Sequence, residues 1–425
     1  MRPKFAIVVV LSILAGLAAV APLAHGQGAA SDTLRLTLKE TETQFLKNNL
    51  TLISQKYNID IANAQIITAR LFPNTDFSFS NGILNDTHDA YRNQSISVSQ
   101  LFYTAGKRNK NIQLAKISAE QAKYQFFDII RTLKYTLRTD FYSIYYQQQS
   151  AKVYDQEIAS LQKTFTVFKE QYAKGNIAQK ELLRIQSQLY SLQSEYNSLL
   201  TGIDSTQSEL KILIKATPAN YVVPVVDSNA ISKEKVAAVP YRSLLDSANT
   251  NRYDLKNARA AVDYNNMNLQ LQKATAIPDV SFSLGYDKFG SFNNNYLGGG
   301  IEFNLPFFNR NQGGIKQARI AIDQSKVQLQ SQQQQVEMDL ANTYKTALRI
   351  DQLYSSFDPQ FKQDFTHLIG EVFKNYQKHN ISMLEFLDFY DSFKTNTIQI
   401  NTLQLNRVSA LEQLNFVTGT PFFNQ

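Results

Sequence analysis

Residues 107–174 contain neither proline nor glycine. Apolar or small side chains recur along them in steps of three and four, at Ile112, Ala115, Ala119, Ala122, Phe126, Ile130, Leu133, Leu137, Phe141 and Ile144. The stripe resumes at Ala151, Tyr154, Ile158, Leu161, Phe165, Phe168 and Tyr172. Such spacing lines one helix face with core residues and is the heptad pattern of a coiled coil. At about 1.5 Å per residue the helix reaches roughly 100 Å, which no compact domain can enclose. A returning segment repeats the pattern at Leu182, Ile185, Leu189, Leu192, Tyr196, Leu199, Ile203, Thr206, Leu210 and Leu213. Together they predict a long helical hairpin over 107–215.

The same unit is present twice. Asp76-Phe77-Ser78-Phe79-Ser80 recurs as Asp279-Val280-Ser281-Phe282-Ser283, and Tyr172-Ala173-Lys174-Gly175-Asn176-Ile177 recurs as Tyr376-Gln377-Lys378-His379-Asn380-Ile381. Two separated matches at nearly one offset, 203 and 204, mark a tandem duplication with repeats over 27–215 and 251–425. In each repeat an amphipathic segment (50–72; 253–277) ends at Pro73 or Pro278, where proline stops the helix. Alternating residues then predict β-hairpins over 76–103 and 279–305. Phe77, Phe79, Ile96 and Val98 alternate with polar residues in the first; Val280, Phe282, Leu284, Tyr286, Ile301, Phe303 and Leu305 do so in the second. Polar loops are expected at 85–94 and 287–295.

A second helical hairpin follows over 313–418, before a short tail. Shifting the first returning stripe by 204 gives Phe386, Phe389, Phe393, Asn396, Ile400, Leu403, Arg407, Ala410, Leu414 and Val417, which predicts that the same face is buried in both repeats. Pro359 predicts a kink about twenty residues before the second turn. Residues 216–250, with Pro218, Pro224 and Pro240, read as a linker packed at the equator of the rod. The run Gln330 to Gln335 reads as a solvated helix face.

Residues 1–26 differ from the rest. Arg2 and Lys4 precede an apolar run, and Ala24-His25-Gly26 offers a small-x-small cleavage pattern, so a removable secretory signal peptide is expected. The chain has no cysteine, which excludes disulfides, thiolate chemistry, Cys-ligated zinc and a lipid-bearing N-terminal cysteine. Its formal charge of +7 is too diffuse to argue for nucleic acid. Beyond the signal only His88, His367 and His379 remain, and no phosphate loop, Gly-x-Ser-x-Gly or His-Glu-x-x-His is present, so neither an enzyme, a cofactor nor a resident metal is expected.

Four strands cannot close a membrane barrel, because small closed barrels begin at about eight. Strand edges left in hydrocarbon lack hydrogen-bond partners, so hairpins that enter a membrane must find partners in sister chains. A soluble sheet capping the rod is the competing arrangement.

The chain resembles the TolC-like outer-membrane efflux proteins over essentially all of its length after the signal. The resemblance rests on the tandem halves, the proline-terminated helix before each hairpin, and the junctions Leu101-Phe102-Tyr103-Thr104-Ala105-Gly106-Lys107-Arg108 and Leu305-Pro306-Phe307-Phe308-Asn309-Arg310-Asn311-Gln312-Gly313. It rests also on the turn from Tyr172 to Leu183. The second junction is most similar to the heavy-metal-efflux branch. The resemblance implies a mainly α fold with a transmembrane β-barrel portion, in which a homotrimer forms a twelve-stranded barrel in the outer membrane and a twelve-helix periplasmic tunnel. It further implies passive conduction, with a periplasmic adaptor protein and an inner-membrane pump as partners. On this resemblance the adaptor-docking tips are Gly175, Asn176, Ile177, Ala178 and Glu181, with His379, Asn380, Ile381 and Ser382. The periplasmic gate is Glu385 and Asp388, whose threefold repetition would ring the mouth with carboxylates, raise some of their pKa values by repulsion and favour cations. A periplasmic coiled-coil adaptor or structural protein is the alternative, although an adaptor would carry one hairpin between β domains.

Overall fold

The computed structural model describes residues 32–82, 93–227, 234–289, 293–358, 360–378 and 380–423. The signal peptide, most of the 85–94 loop, Pro359 and His379 lie outside the described residues. The first repeat comprises β1 (Thr33–Thr37), α1 (Leu38–Asn48), α2 (Leu50–Arg70), β2 (Asp76–Asn81), β3 (Gln94–Phe102), α3 (Lys107–Ala173) and α4 (Gln179–Ile214). After β4 (Tyr221–Val225) come α5 (Tyr241–Asn251), α6 (Tyr253–Thr275), β5 (Val280–Phe289), β6 (Asn294–Glu302), α7 (Gln312–Ser356), α8 (Phe361–Gln377) and α9 (Met383–Thr418). α3 is one helix of 67 residues.

The two hairpins join into one antiparallel sheet in the order β2-β3-β5-β6. Asp279, at the base of the second hairpin, accepts from the Thr104 amide (2.8 Å) and pairs with Lys107 (2.8 Å), which fixes the hairpins side by side. The register sorts the residues by face. Phe77, Val98, Leu284 and Gly299 lie across from one another on one face, as do Phe79, Ile96, Tyr286 and Leu297. On the other face Ser78, Ser97, Gly285 and Gly298 align, as do Asp76, Ser99, Ser283 and Gly300. Successive strand residues point to opposite sides, so one face is apolar and the other is small and polar. Below the sheet, helices stand in the matching order α2, α3, α6 and α7, each packed on the next.

Four expectations are corrected. The second long helix is broken outright: α7 stops at Ser356 and α8 begins at Phe361, where Pro359 predicts a single kinked helix over 313–378. β6 ends at Glu302, so Phe303 and Leu305 lie beyond the strands, while β5 reaches Phe289 and absorbs the start of the expected 287–295 loop. The 216–250 segment is not a plain linker. β4 pairs in parallel with β1, and the Gln207 side chain both donates to the Val222 carbonyl (2.8 Å) and accepts from its amide (2.9 Å); α5 then packs against α7 and α9.

Finally, the stripe carried over from α4 does not hold through the lower half of α9. Phe386 is buried as expected, but the series that follows it is Leu387, Tyr390, Lys394, Thr397 and Asn401, and Phe389 stays 40% exposed; farther up, Arg407, Leu414 and Val417 of the expected stripe are buried again. This seam packs on α3 through polar contacts, among them Asn401 Nδ2 to Ser150 Oγ (3.1 Å), and those contacts rotate the helix by about one residue from the inherited register.

Candidate functional site

The sequence places function at the two helix-turn-helix ends. α3 closes with Gly175 at φ +77°, in the left-handed region that a residue without Cβ enters at no steric cost. The Gly175 amide donates to the Tyr172 carbonyl (2.9 Å) and the Asn176 amide to the Gln171 carbonyl (2.9 Å). These two bonds form a Schellman closure, satisfying carbonyls that the helix end leaves free. The Asn176 side chain adds a bond to Gln171 Oε1 (2.7 Å). At the second end the Asn380 amide donates to the Asn375 carbonyl (2.9 Å), and its side chain donates to Asn375 Oδ1 (3.1 Å). Asparagine thus staples each turn to the residue five positions back.

The exits differ. α4 starts from Ala178, which offers no side-chain cap, and Glu181 lies three residues further on. α9 starts from Ser382, which forms a capping box with Glu385: Glu385 Oε2 accepts from the Ser382 amide (2.8 Å) and hydroxyl (2.9 Å), and the Glu385 amide donates back to Ser382 Oγ (3.2 Å). The Ser382 amide, then its hydroxyl, hold the Glu385 carboxyl below the usual carboxylate range. Within one chain, therefore, Glu385 is pulled opposite to the upward shift expected from repulsion. Asp388 is exposed one turn along the same helix.

An apolar cluster of Leu161, Ile185, Leu189, Val372, Phe386 and Tyr390 holds the two ends together. Tyr376 stacks between Phe168 (6.0 Å between ring centroids) and Phe386 (4.5 Å). Burial, and then the Glu181 carboxylate, push the Tyr376 hydroxyl up to about 12.

A polar layer above this cluster is absent from the sequence-based expectations. The Tyr390 hydroxyl donates to the Glu157 carbonyl (2.7 Å), Lys394 pairs with Glu195 (2.9 Å) and Asp391 (3.0 Å), and the Tyr154 hydroxyl donates to Glu195 (3.2 Å). These contacts tie α3, α4 and α9 together. Glu157 and Lys394 are buried, and Glu157 Oε2 has no hydrogen-bond partner among the described residues. One signal for this layer does exist in the sequence: Glu157 stands three residues after Tyr154 and four before Leu161, a charged side chain at core spacing within an apolar stripe.

Among the described residues no group of three or more His, Asp or Glu is placed to hold a metal. Residues 42–214 and 244–420 match the outer membrane efflux protein family, so the chain belongs to that family. That family is one of outer-membrane efflux channels with a periplasmic extension and is non-enzymatic; channels of this class trimerise and work with efflux-pump components. Among curated proteins the chain is 20% identical over 283 residues to the cobalt-zinc-cadmium resistance protein CzcC of Cupriavidus metallidurans, a match covering 67% of this chain and 66% of that protein. It is 21% identical over 286 residues to the nickel-cobalt-cadmium resistance protein NccC of Alcaligenes xylosoxydans xylosoxydans, covering 65% of this chain and 63% of that one. The chain thus spans just under two thirds of the length of these two relatives. Its fold is similar to that of the Campylobacter jejuni CmeC outer membrane channel (TM-score 0.73, 14% identity, covering 91% of this chain and 86% of that one). It is also similar to the open state of the Neisseria gonorrhoeae MtrE outer membrane channel (TM-score 0.72, 16% identity, 91% and 89%).

Proposed function

We propose that three copies of this chain form the passive exit duct of a tripartite efflux pump, fed by a periplasmic adaptor and driven by an inner-membrane pump. The sheet carries this reading. One face is apolar, the other is serine- and glycine-rich, and the outer strands β2 and β6 each have a strand partner on one side only among the described residues. An unpaired edge group in hydrocarbon costs several kcal/mol, so the edges must meet those of sister chains. Closure then turns the polar face inward around a lumen, which the helices continue into the periplasm.

The adaptor surface is assigned to Gly175, Asn176, Ile177, Ala178 and Glu181 with Asn380, Ile381 and Ser382. Its support is that both turns are held by their own hydrogen bonds, and that Asn176 and Asn380 stand exposed. An Asn176→Arg/Asn380→Arg variant should assemble normally yet lose most export, read as intracellular cargo retention in a deletion strain. A variant that exports like the parent would remove the docking assignment.

Glu385 and Asp388 are assigned to the mouth, and divalent metal cations are the proposed cargo, in keeping with the similarity to CzcC. Glutamine serves in a capping box as glutamate does. Glu385→Gln/Asp388→Asn therefore removes charge while keeping the helix start. It should raise single-channel conductance in planar bilayers and weaken block by divalent cations; parental conductance and block would place the constriction elsewhere.

A further inference from the structure

Most positions on the polar face of the sheet hold serine or glycine, and larger side chains gather toward its ends. Ser80, Ser95, Asp287 and Tyr296 form one register row on that face, with Phe289 and Asn294 beyond them at the margin. These rows lie toward the turn between β5 and β6, far from Pro278 and Gln312, where the strands give way to helices. In a closed barrel they are the outer end of the lumen.

Tyr296 is 54% exposed, and its ring lies along β6 over Gly298, the next residue on the same face. A Cβ built on Gly298 would stand 2.6 Å from Cε1 of that ring and 3.1 Å from its hydroxyl oxygen, well inside the contact distance of nonbonded atoms. Gly298 pairs with Gly285 across to β5, so the neighbouring position on this face carries no side chain either. The ring rests on bare backbone. Glycine within a strand gives up packing and backbone entropy, and it often marks a place where another group approaches closely. Here that group is the tyrosine ring. Gly299, on the opposite face, contrasts with it: a Cβ there would lie 3.5 Å from Leu284 Cδ2, an ordinary contact.

We infer that Tyr296 sets the bore of the exit, with Gly298 letting its ring lie back against the wall, so that three such rings line the outer lumen as an aromatic collar. A side chain at position 298 must displace something. The backbone of β6 cannot retreat, because β5 holds it on one side and the next chain holds it on the other once the barrel closes. The tyrosine ring, at the end of a rotatable side chain, moves at far less cost. Asp287 stands directly across on β5, so the displaced ring turns inward and narrows the passage. This inference rests on the trimeric barrel proposed above and adds a residue that limits the size of solute able to leave.

The chain has no cysteine, so Ser99→Cys supplies a single reporter thiol. Ser99 is on the same polar face, four residues along β3 from Ser95 and about 13 Å nearer the helices at 3.3 Å per residue. Intact cells are treated from outside with a maleimide-linked polyethylene glycol, and labelling is followed as a gel shift. Adding Gly298→Ala to the reporter should slow labelling several-fold, and adding Tyr296→Ala should speed it. With both additions the rate should equal that of Tyr296→Ala, since no ring remains to be displaced, and Gly299→Ala should leave the reporter's rate unchanged. A small methanethiosulfonate reagent should label all of them alike. An unchanged rate with Tyr296→Ala would overturn the collar, as would slowing by Gly298→Ala that persists without the ring; either result leaves the barrel standing. If even the small reagent fails to reach Ser99→Cys while it labels Val98→Cys on the apolar face, the barrel reading falls and the collar with it.

Discussion

An Arg138→Met variant is expected to lose about 3–5 kcal/mol of folding stability, the cost of breaking a buried ion pair from one side. Arg138 projects from α3 into the equator of the rod. Its Nη1 donates to both carboxylate oxygens of Glu412 on α9 (3.0 Å each), and its Nε donates to Glu42 on α1 (2.5 Å). Glu412 is 2% exposed, so water cannot replace the lost guanidinium. Lys134 pairs with Glu42 (3.1 Å) and partly compensates on that side only. An Arg138→Met/Glu412→Leu variant should recover much of the loss, because it removes the buried charge along with its partner. Urea unfolding followed by circular dichroism measures both. A single variant as stable as the parent would show that this network does not hold the two repeats together.

Glu157→Gln should strengthen the join between the two helical hairpins near neutral pH. Burial is the first cause that pushes the Glu157 carboxyl up from 4.5 to about 7; the nearby Asp391 adds to it, while Tyr390 and Lys394 oppose it. The sign follows from proton counts. A carboxyl raised in the folded state binds more protons there than in the unfolded chain, so its ionisation destabilises folding as pH rises from about 4.5 through about 7. At 1.36 kcal/mol per pKa unit the full penalty is about 3 kcal/mol above that window. Glutamine is neutral throughout and removes it. Hydrogen exchange of the α9 amides around Tyr390 should accelerate from pH 5 to pH 8 in the parent, after correction for intrinsic rates, and stay nearly level in the variant. Asp140, also raised to about 7 by burial and then by Glu209, acts further up α3, so a local readout separates the two. Parallel profiles in parent and variant would mean that Glu157 is not the titrating group.

Much of this architecture is legible in the sequence because it is periodic. A helix of 67 residues announces itself through three- and four-residue steps and the lack of proline or glycine, and a duplicated turn shows up as a repeated string. Gly175 and Asn176 are readable for a local reason: the Schellman closure and the side-chain staple involve residues at most five positions apart. The same holds for Ser382 and Glu385, whose spacing is that of a capping box, although the family resemblance draws the eye to Glu385 as a gate and away from its role in the cap.

The illegible part depends on residues far apart in the chain. Tyr390 meets Glu157 across 233 positions, and Arg138 meets Glu412 across 274. No period of three, four or two encodes such a meeting. The shifted α9 seam is the clearest instance. Translating the first repeat's stripe by 204 assumes an apolar partner face, whereas α3 presents the Ser150 hydroxyl and the Glu157 backbone carbonyl, and desolvation then favours the rotation that brings Asn401 and Tyr390 onto them.

By itself the amino-acid order determined the long helices, their closing turns, the alternating strands and the twofold repetition, since backbone sterics and near-neighbour spacing decide those. Only the three-dimensional packing decided which helix face is buried, which charges pair, and that sheet and helical wall end in matching open edges, because burial free energy depends on what a distant segment offers in return.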